Sequence, residues 1–113
     1  MDITPLNDRL SVSPQIALSD LPALAQAGFR SVICNRPDGE SPDQPAFAVV
    51  QAAAEAAGLQ AAWLPVTPGC LTPPHVEAFE QLLQQLPGPV LAYCRTGMRS
   101  ASLWNLLQSR SCA

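Results

Sequence analysis

Lysine is absent from this 113-residue chain, histidine occurs once, aromatic residues make up 5% and charged residues only 13%. Without lysine, six arginines carry all the positive side-chain charge against nine carboxylates, for a net charge of -3. Nucleic-acid binding needs a basic face to neutralise phosphates, and this balance does not supply one. No apolar run approaches the length that spans a bilayer, and the opening Met1-Asp2-Ile3-Thr4-Pro5 has neither a basic n-region nor an apolar h-region. A soluble cytoplasmic protein with no membrane partner is the expectation. The four cysteines, at 34, 70, 94 and 112, form no C-x-x-C pair, and His75 is the one histidine. That spacing argues against a metal site, and free thiols in a reducing compartment follow. No internal repeat is visible.

Hydrophobic residues are plentiful at 48%, and 113 residues suffice for one core that buries roughly two thirds of the unfolded surface. A single domain over residues 1–113 is expected. Twelve prolines punctuate the chain between apolar segments rather than forming a tract. Leu10-Ser11-Val12-Ser13 alternates as a strand does, and Ser31-Val32-Ile33-Cys34 reads as a buried strand. Residues 59–66 suggest another strand, and Val90-Leu91-Ala92-Tyr93 a central one covered on both faces. Between them, Ser19 is placed to cap a helix carrying Leu21 and Leu24 that ends before Gly28. A second helix starts near Pro45 with Phe47, Val50, Ala54 and Ala57 on one face. Thr72 caps a third, with Pro73 first and Val76, Phe79, Leu83 and Leu86 inward. Residues 100–109 form the last, with Leu103, Leu106 and Leu107 as its inner face. Strands alternating with helices predict an α/β domain with a mostly parallel central sheet flanked by helices. Ligands of such sheets bind beyond the carboxyl ends of the strands, where Cys94 falls.

The stretch "LAYCRTGMRSASLW", residues 91–104, sets two of the six arginines within five residues of that cysteine. A loop leaving a strand and winding into a helix can aim successive backbone N–H groups at one point, at the positive end of the helix dipole. Gly97 provides the backbone freedom a tight ring needs. Amides and the guanidiniums of Arg95 and Arg99 would favour thiolate over thiol, making Cys94 a nucleophile in an anion-binding loop of Arg95, Thr96, Gly97, Met98 and Ser100. A thiolate there can attack phosphorus in an ester or take a sulfane sulfur as a persulfide.

Cys94-Arg95-Thr96-Gly97-Met98-Arg99-Ser100 is similar to the active-site loop of rhodanese-type sulfurtransferases, whose pattern is Cys, four residues, then often Arg. Cysteine phosphatases of the tyrosine and dual-specificity type have five intervening residues and usually His before the Cys, where this chain has Tyr93. Together, "LSVSPQI", "GFRSVICNRPDGE", "LPVTPG" and "LAYCRTGMRSASLW" resemble a bacterial family that also forms the amino-terminal part of beta-lactamase-hydrolase-like proteins. The resemblance implies a dual-specificity-phosphatase-like fold with a loop of sulfurtransferase length. It also implies, for fused members, a metallo-hydrolase-like partner linked to persulfide oxidation.

Removing one residue from the loop narrows the ring and withdraws a donor, which suits a persulfide better than a phosphate dianion. A phosphatase also benefits from a general acid, worth roughly 10²–10⁴-fold. Related phosphatases carry an Asp some thirty residues before the Cys, and residues 63–67 contain none. In Asn35-Arg36-Pro37-Asp38-Gly39-Glu40, Asp38 is a candidate acid and Arg36 a candidate added charge, against the plain alternative of an Asp-Gly turn with an arginine salt bridge. Cys34, Cys70 and Cys112 read as packing residues, with a resolving role conceivable for Cys70. His75 reads as a surface residue, and Trp63 and Trp104 as core or pocket wall. The leading expectation is a sulfurtransferase without metal or organic cofactor, with arginine Arg99 and Cys94 catalytic. It would take sulfur from thiosulfate or a small persulfide and pass it to a thiol or cyanide. A phosphatase acting on a phosphate ester through a phosphocysteine, and a non-catalytic anion- or persulfide-sensing module, are the alternatives.

Overall fold

The structure, a computed structural model, describes residues 2–111, so Cys112 lies outside the described residues. Its elements run β1 (Thr4–Pro5), β2 (Leu10–Ser13), α1 (Asp20–Gln26), β3 (Ser31–Cys34), α2 (Phe47–Ala56), β4 (Gln60–Trp63), α3 (Pro73–Gln85), β5 (Val90–Tyr93) and α4 (Met98–Ser111). One five-stranded sheet has the order β1-β2-β5-β3-β4. Its four longer strands are parallel, and β1 adds an antiparallel edge that the sequence pattern did not announce.

Strands β2, β3 and β5 are buried along their whole length because helices cover both faces of the sheet. Alternate residues then serve two cores. Val90 and Ala92 of β5 pack with Ile33, Val76, Phe79 and Leu103 on one face. Leu91 and Tyr93 pack with Val32, Cys34, Leu21, Leu24 and Val50 on the other. Trp104 is a partly buried flank of the first core. Leu106, expected on the inner face of α4, is 45% exposed, whereas Leu103 and Leu107 are buried.

Register positions the functional edge. Ser13, Tyr93, Cys34 and Trp63 are paired in a row across β2, β5, β3 and β4. All four are the last residues of their strands, so the segments beginning at Pro14, Cys94, Asn35 and Leu64 leave the sheet side by side. The strand expected over residues 59–66 is shortened to Gln60–Trp63. Pro65 has no N–H to continue a ladder, and Leu64 and Val66 instead donate to the carbonyls of Cys34 and Asn35.

Two helix starts differ from expectation. Ser19 sits in helical backbone geometry and makes no capping bond; the Asp20 carboxylate accepts from the Ala17 N–H instead and closes that turn. Thr72 does open α3, but its partner is His75, whose Nδ1 accepts the Thr72 N–H at 3.0 Å. His75 is therefore half of a capping box rather than a merely solvated side chain. Among the described residues no helix is long and apolar enough to cross a membrane.

Phe79 is fully buried on α3 against β5 and α4. Phe79→Ala should lower the unfolding free energy by about 3–5 kcal/mol, measured by chemical denaturation, with the folded-state circular dichroism unchanged.

Candidate active site

Cys94 follows β5 directly, and its N–H reaches the Ser13 carbonyl at 3.4 Å, so the loop leaves the sheet already tied to β2. The Gln15 N–H donates to the Arg95 carbonyl at 3.3 Å and fixes the next residue from the same side. Gly97 has φ +91 and is buried, and a Cβ there would stand 3.3 Å from the Ser13 carbonyl carbon. Both its backbone angle and its contact with β2 select glycine.

Helix α4 begins at Met98, two residues earlier than its apolar pattern suggests, and its first intrahelical bond runs from Ala101 N–H to the Gly97 carbonyl at 3.0 Å. The preceding amides have no helical partner. The Met98 N–H is taken by Thr96 Oγ1 at 3.3 Å. The Gly97 N–H donates to the Cys94 sulfur at 3.1 Å, and the amides of Ser100, Arg99 and Thr96 lie near enough to favour its ionised form. Burial pushes the Cys94 thiol up, since the residue is 0% exposed, but the four amides outweigh it and hold the thiol below its ordinary range. Arg95, Thr96 and Met98 form the exposed rim above this sulfur, Met98 being 72% exposed. A cleft of about 320 Å³ adjoins the rim between Thr96, Met98, Val12 and Pro14.

Arg99 is kept charged first by Glu40 and then by the Cys94 sulfur to which it is brought, and its fork is not left open for a ligand. Nη1 and Nη2 each donate to one oxygen of Glu40 at 2.7 Å, and Nη1 also donates to the Val66 carbonyl at 2.8 Å. Arg36, only 2% exposed, grips the same carboxylate through Nε at 2.8 Å and holds Gln15 Oε1 at 2.7 Å and Ser41 Oγ at 3.2 Å. Arg99 foremost, and then Arg36, keep the Glu40 carboxyl below the usual carboxylate range. Arg36 thus supports the loop through Glu40 and Gln15 rather than facing a substrate.

Asp38, the candidate acid, is claimed elsewhere. Its Oδ1 accepts the Phe47 N–H at 2.8 Å and caps the start of α2. Trp63 leans over the same segment, stacked on Phe47 with centroids 5.5 Å apart and donating its indole N–H to the Arg36 carbonyl at 2.8 Å. Cys34 is a buried packing residue whose thiol is pushed up by burial. Cys70 is exposed in the loop after β4. Among the described residues no three His, Cys, Asp or Glu side chains converge as metal ligands would.

Three residues given no role from the sequence shape this site: Glu40, Gln15 and Asn35. Glu40 stands in the same Pro-Asp-Gly-Glu turn as Asp38, and its signal was the pair of buried or half-buried arginines that needed a counter-ion. Gln15 and Asn35 act through main-chain and side-chain bonds to distant segments, which leave no compositional trace.

Residues 2–111 match the model of the family described as beta-lactamase hydrolase-like protein, phosphatase-like domain. The chain belongs to this family. The phosphatase-like domain is 39% identical over 101 residues to the beta-lactamase hydrolase-like protein of Agrobacterium fabrum, covering 89% of this chain and 23% of that protein. The Xylella fastidiosa protein of the same name is 38% identical over 106 residues, covering 94% and 25%. The chain thus spans about a quarter of these curated relatives. Among solved structures, a candidate phosphatase from Neisseria meningitidis superposes with TM-score 0.86 at 44% identity, over 92% of this chain and 74% of that one. TpbA from P. aeruginosa in complex with pTyr reaches TM-score 0.63 at 18% identity, over 84% and 54%, a likeness of fold. The architecture is cysteine-phosphatase-like.

Two outcomes follow from this geometry. Gly97→Ala should destabilise the protein by about 1–2 kcal/mol and slow iodoacetamide modification of Cys94 at neutral pH, read by peptide mass spectrometry. Glu40→Gln should lower thermal stability at pH 7. Because the Glu40 carboxyl is held below its unfolded value, its contribution is complete above the usual carboxylate range and is lost as pH falls through the depressed folded value. The gap between variant and wild-type melting temperatures should therefore close in acid.

Proposed function

We propose that this domain is a cysteine-dependent group-transfer enzyme in which the Cys94 thiolate is the nucleophile, and that the group it carries is sulfane sulfur. The observation that carries this reading is the convergence of four amides on the sulfur itself, inside a ring with only four residues between Cys94 and Arg99. Donors aimed at Sγ favour the thiolate that attacks the donor's outer sulfur and that is released again when an acceptor takes it.

The chemistry fits the rest of the site. The thiolate attacks the outer sulfur of thiosulfate or of a small persulfide; the S–S bond breaks, and sulfite or a thiolate leaves with the electron pair. An acceptor thiolate or cyanide then attacks the terminal sulfur and releases Cys94 as thiolate. Neither step requires a proton for its leaving group. That matches a site whose Glu40 carboxyl is held toward its ionised form by two arginines and whose Asp38 is bound to α2. Exposed Arg95 stands at the rim, where it would meet an anionic donor, and Thr96, Gly97, Met98 and Ser100 complete the loop. A reducing compartment such as the cytoplasm keeps the thiol available.

A second reading has the comparisons on its side. The family is described as phosphatase-like, the Neisseria relative is a candidate phosphatase, and TpbA is solved in complex with pTyr. On that reading Cys94 attacks phosphorus, forms a phosphocysteine and acts best on esters with good leaving groups, since Asp38 is not free to protonate a poor one. The curated relatives, about a quarter of which this chain spans, carry the words hydrolase-like in their name. On the sulfur reading a metallo-hydrolase-like, persulfide-oxidising domain would be the natural consumer of the product.

Parallel assays of thiosulfate or persulfide transfer and of aryl phosphate hydrolysis, on wild type and Cys94→Ser, decide between the readings. Transfer abolished in the variant, with negligible phosphate release in both proteins, is the expected result. Efficient Cys94-dependent ester hydrolysis would replace it with the phosphatase reading, and stoichiometric sulfur loading without turnover would point to a sensing module. Asp38→Ala should cost about 1 kcal/mol of stability and leave the transfer rate within about twofold.

A further inference from the structure

We propose that Asn35 is a positioning residue that holds the two ends of the Cys94 loop together and so fixes the aperture through which the sulfur is reached. This rests on Cys94 being the nucleophile and concerns how its ring is kept closed.

Asn35 is 0% exposed and leaves β3 directly beside Cys94. Its backbone N–H donates to the carbonyl of Tyr93, the residue before the ring, at 2.8 Å. Its side-chain Oδ1 accepts the hydroxyl of Ser100, the residue after Arg99, at 2.7 Å. One buried residue is therefore bonded to both ends of the six-residue loop. The remaining groups anchor the clasp: Nδ2 donates to the Leu64 carbonyl at 3.0 Å, and the Asn35 carbonyl accepts the Val66 N–H at 3.1 Å.

The direction of the Ser100 bond is also fixed. Because the Leu64 carbonyl can only accept, the amide nitrogen of Asn35 must face it, leaving the oxygen toward Ser100. Ser100 therefore commits its hydroxyl proton to Asn35, while its backbone N–H stays aimed at the Cys94 sulfur. Asn35 thus holds in place a residue whose amide faces the thiolate without touching the sulfur itself.

The test is a double-mutant cycle of Asn35→Ala and Ser100→Ala on the full chain, reading iodoacetamide modification of Cys94 against pH by mass spectrometry of its peptide. Each single variant should slow modification at pH 7 on the order of fivefold, the weight of one buried hydrogen bond. Each should recover the wild-type rate at high pH, so that the profile moves upward. The double variant should be no slower than either single one, because both cut the same bond. Profiles that superpose on wild type, with only the melting temperature lowered, would make Asn35 a packing residue and overturn the inference; so would additive losses, or a wild-type Cys94 that the reagent never modifies. If Asn35→Ala does not fold, Ser100→Ala decides alone, since alanine suits a helix. No sulfur or phosphate substrate is used, so a negative transfer assay would remove the sulfur reading and leave this result standing.

Discussion

A buried thiol ionises readily only where fixed dipoles replace the water it has lost. Here those dipoles are the first unsatisfied amides of α4 and the turn before it, and everything else at the carboxyl edge keeps them in place. The parallel sheet delivers Cys94 to the foot of the helix. Contact with Ser13 forces glycine at position 97, and the turn this permits lets the chain close on its own sulfur. Beside the Arg99 charge, much of the electrostatics at this spot comes from main chain, which has no pKa of its own in the working range.

The arginines form a second tier. Buried Arg36 requires compensation, and Glu40 supplies it while gripping Arg99 at the same time. One carboxylate therefore ties the loop after β3 to the loop after β5. The pair of guanidiniums makes a brace behind the sulfur, and of the loop's two arginines it is Arg95 that stands exposed at the rim.

The alternating strands and helices, the central place of residues 90–93 and the glycine-bearing loop from Cys94 into the last helix were all legible, because each writes a local pattern: period, glycine, cap or cluster of charge. What escaped depends on contacts between distant segments. The two-residue β1 is too short to have a period. Asp38 looked like an acid because it lies in a turn at the right edge, but its direction is set by the unpaired N–H of Phe47, nine residues on. Glu40, one residue beyond Gly39, has an equally plain sequence signature and carries the network, a difference made entirely by where Arg99 arrives from β5. His75 gave no sign of its capping role because histidine is not the usual partner of a threonine cap. The sulfur's full burial was likewise unreadable, since it depends on how far α4 extends back toward the strand.

The row of strand ends from Ser13 to Trp63 separates two kinds of inheritance. Apolar residues below it can interchange so long as their volume is kept, while the connectors above it receive their starting points from backbone pairing alone. A scaffold of this kind tolerates changes of loop length and composition at that edge, with the sheet as the bed on which each loop is laid.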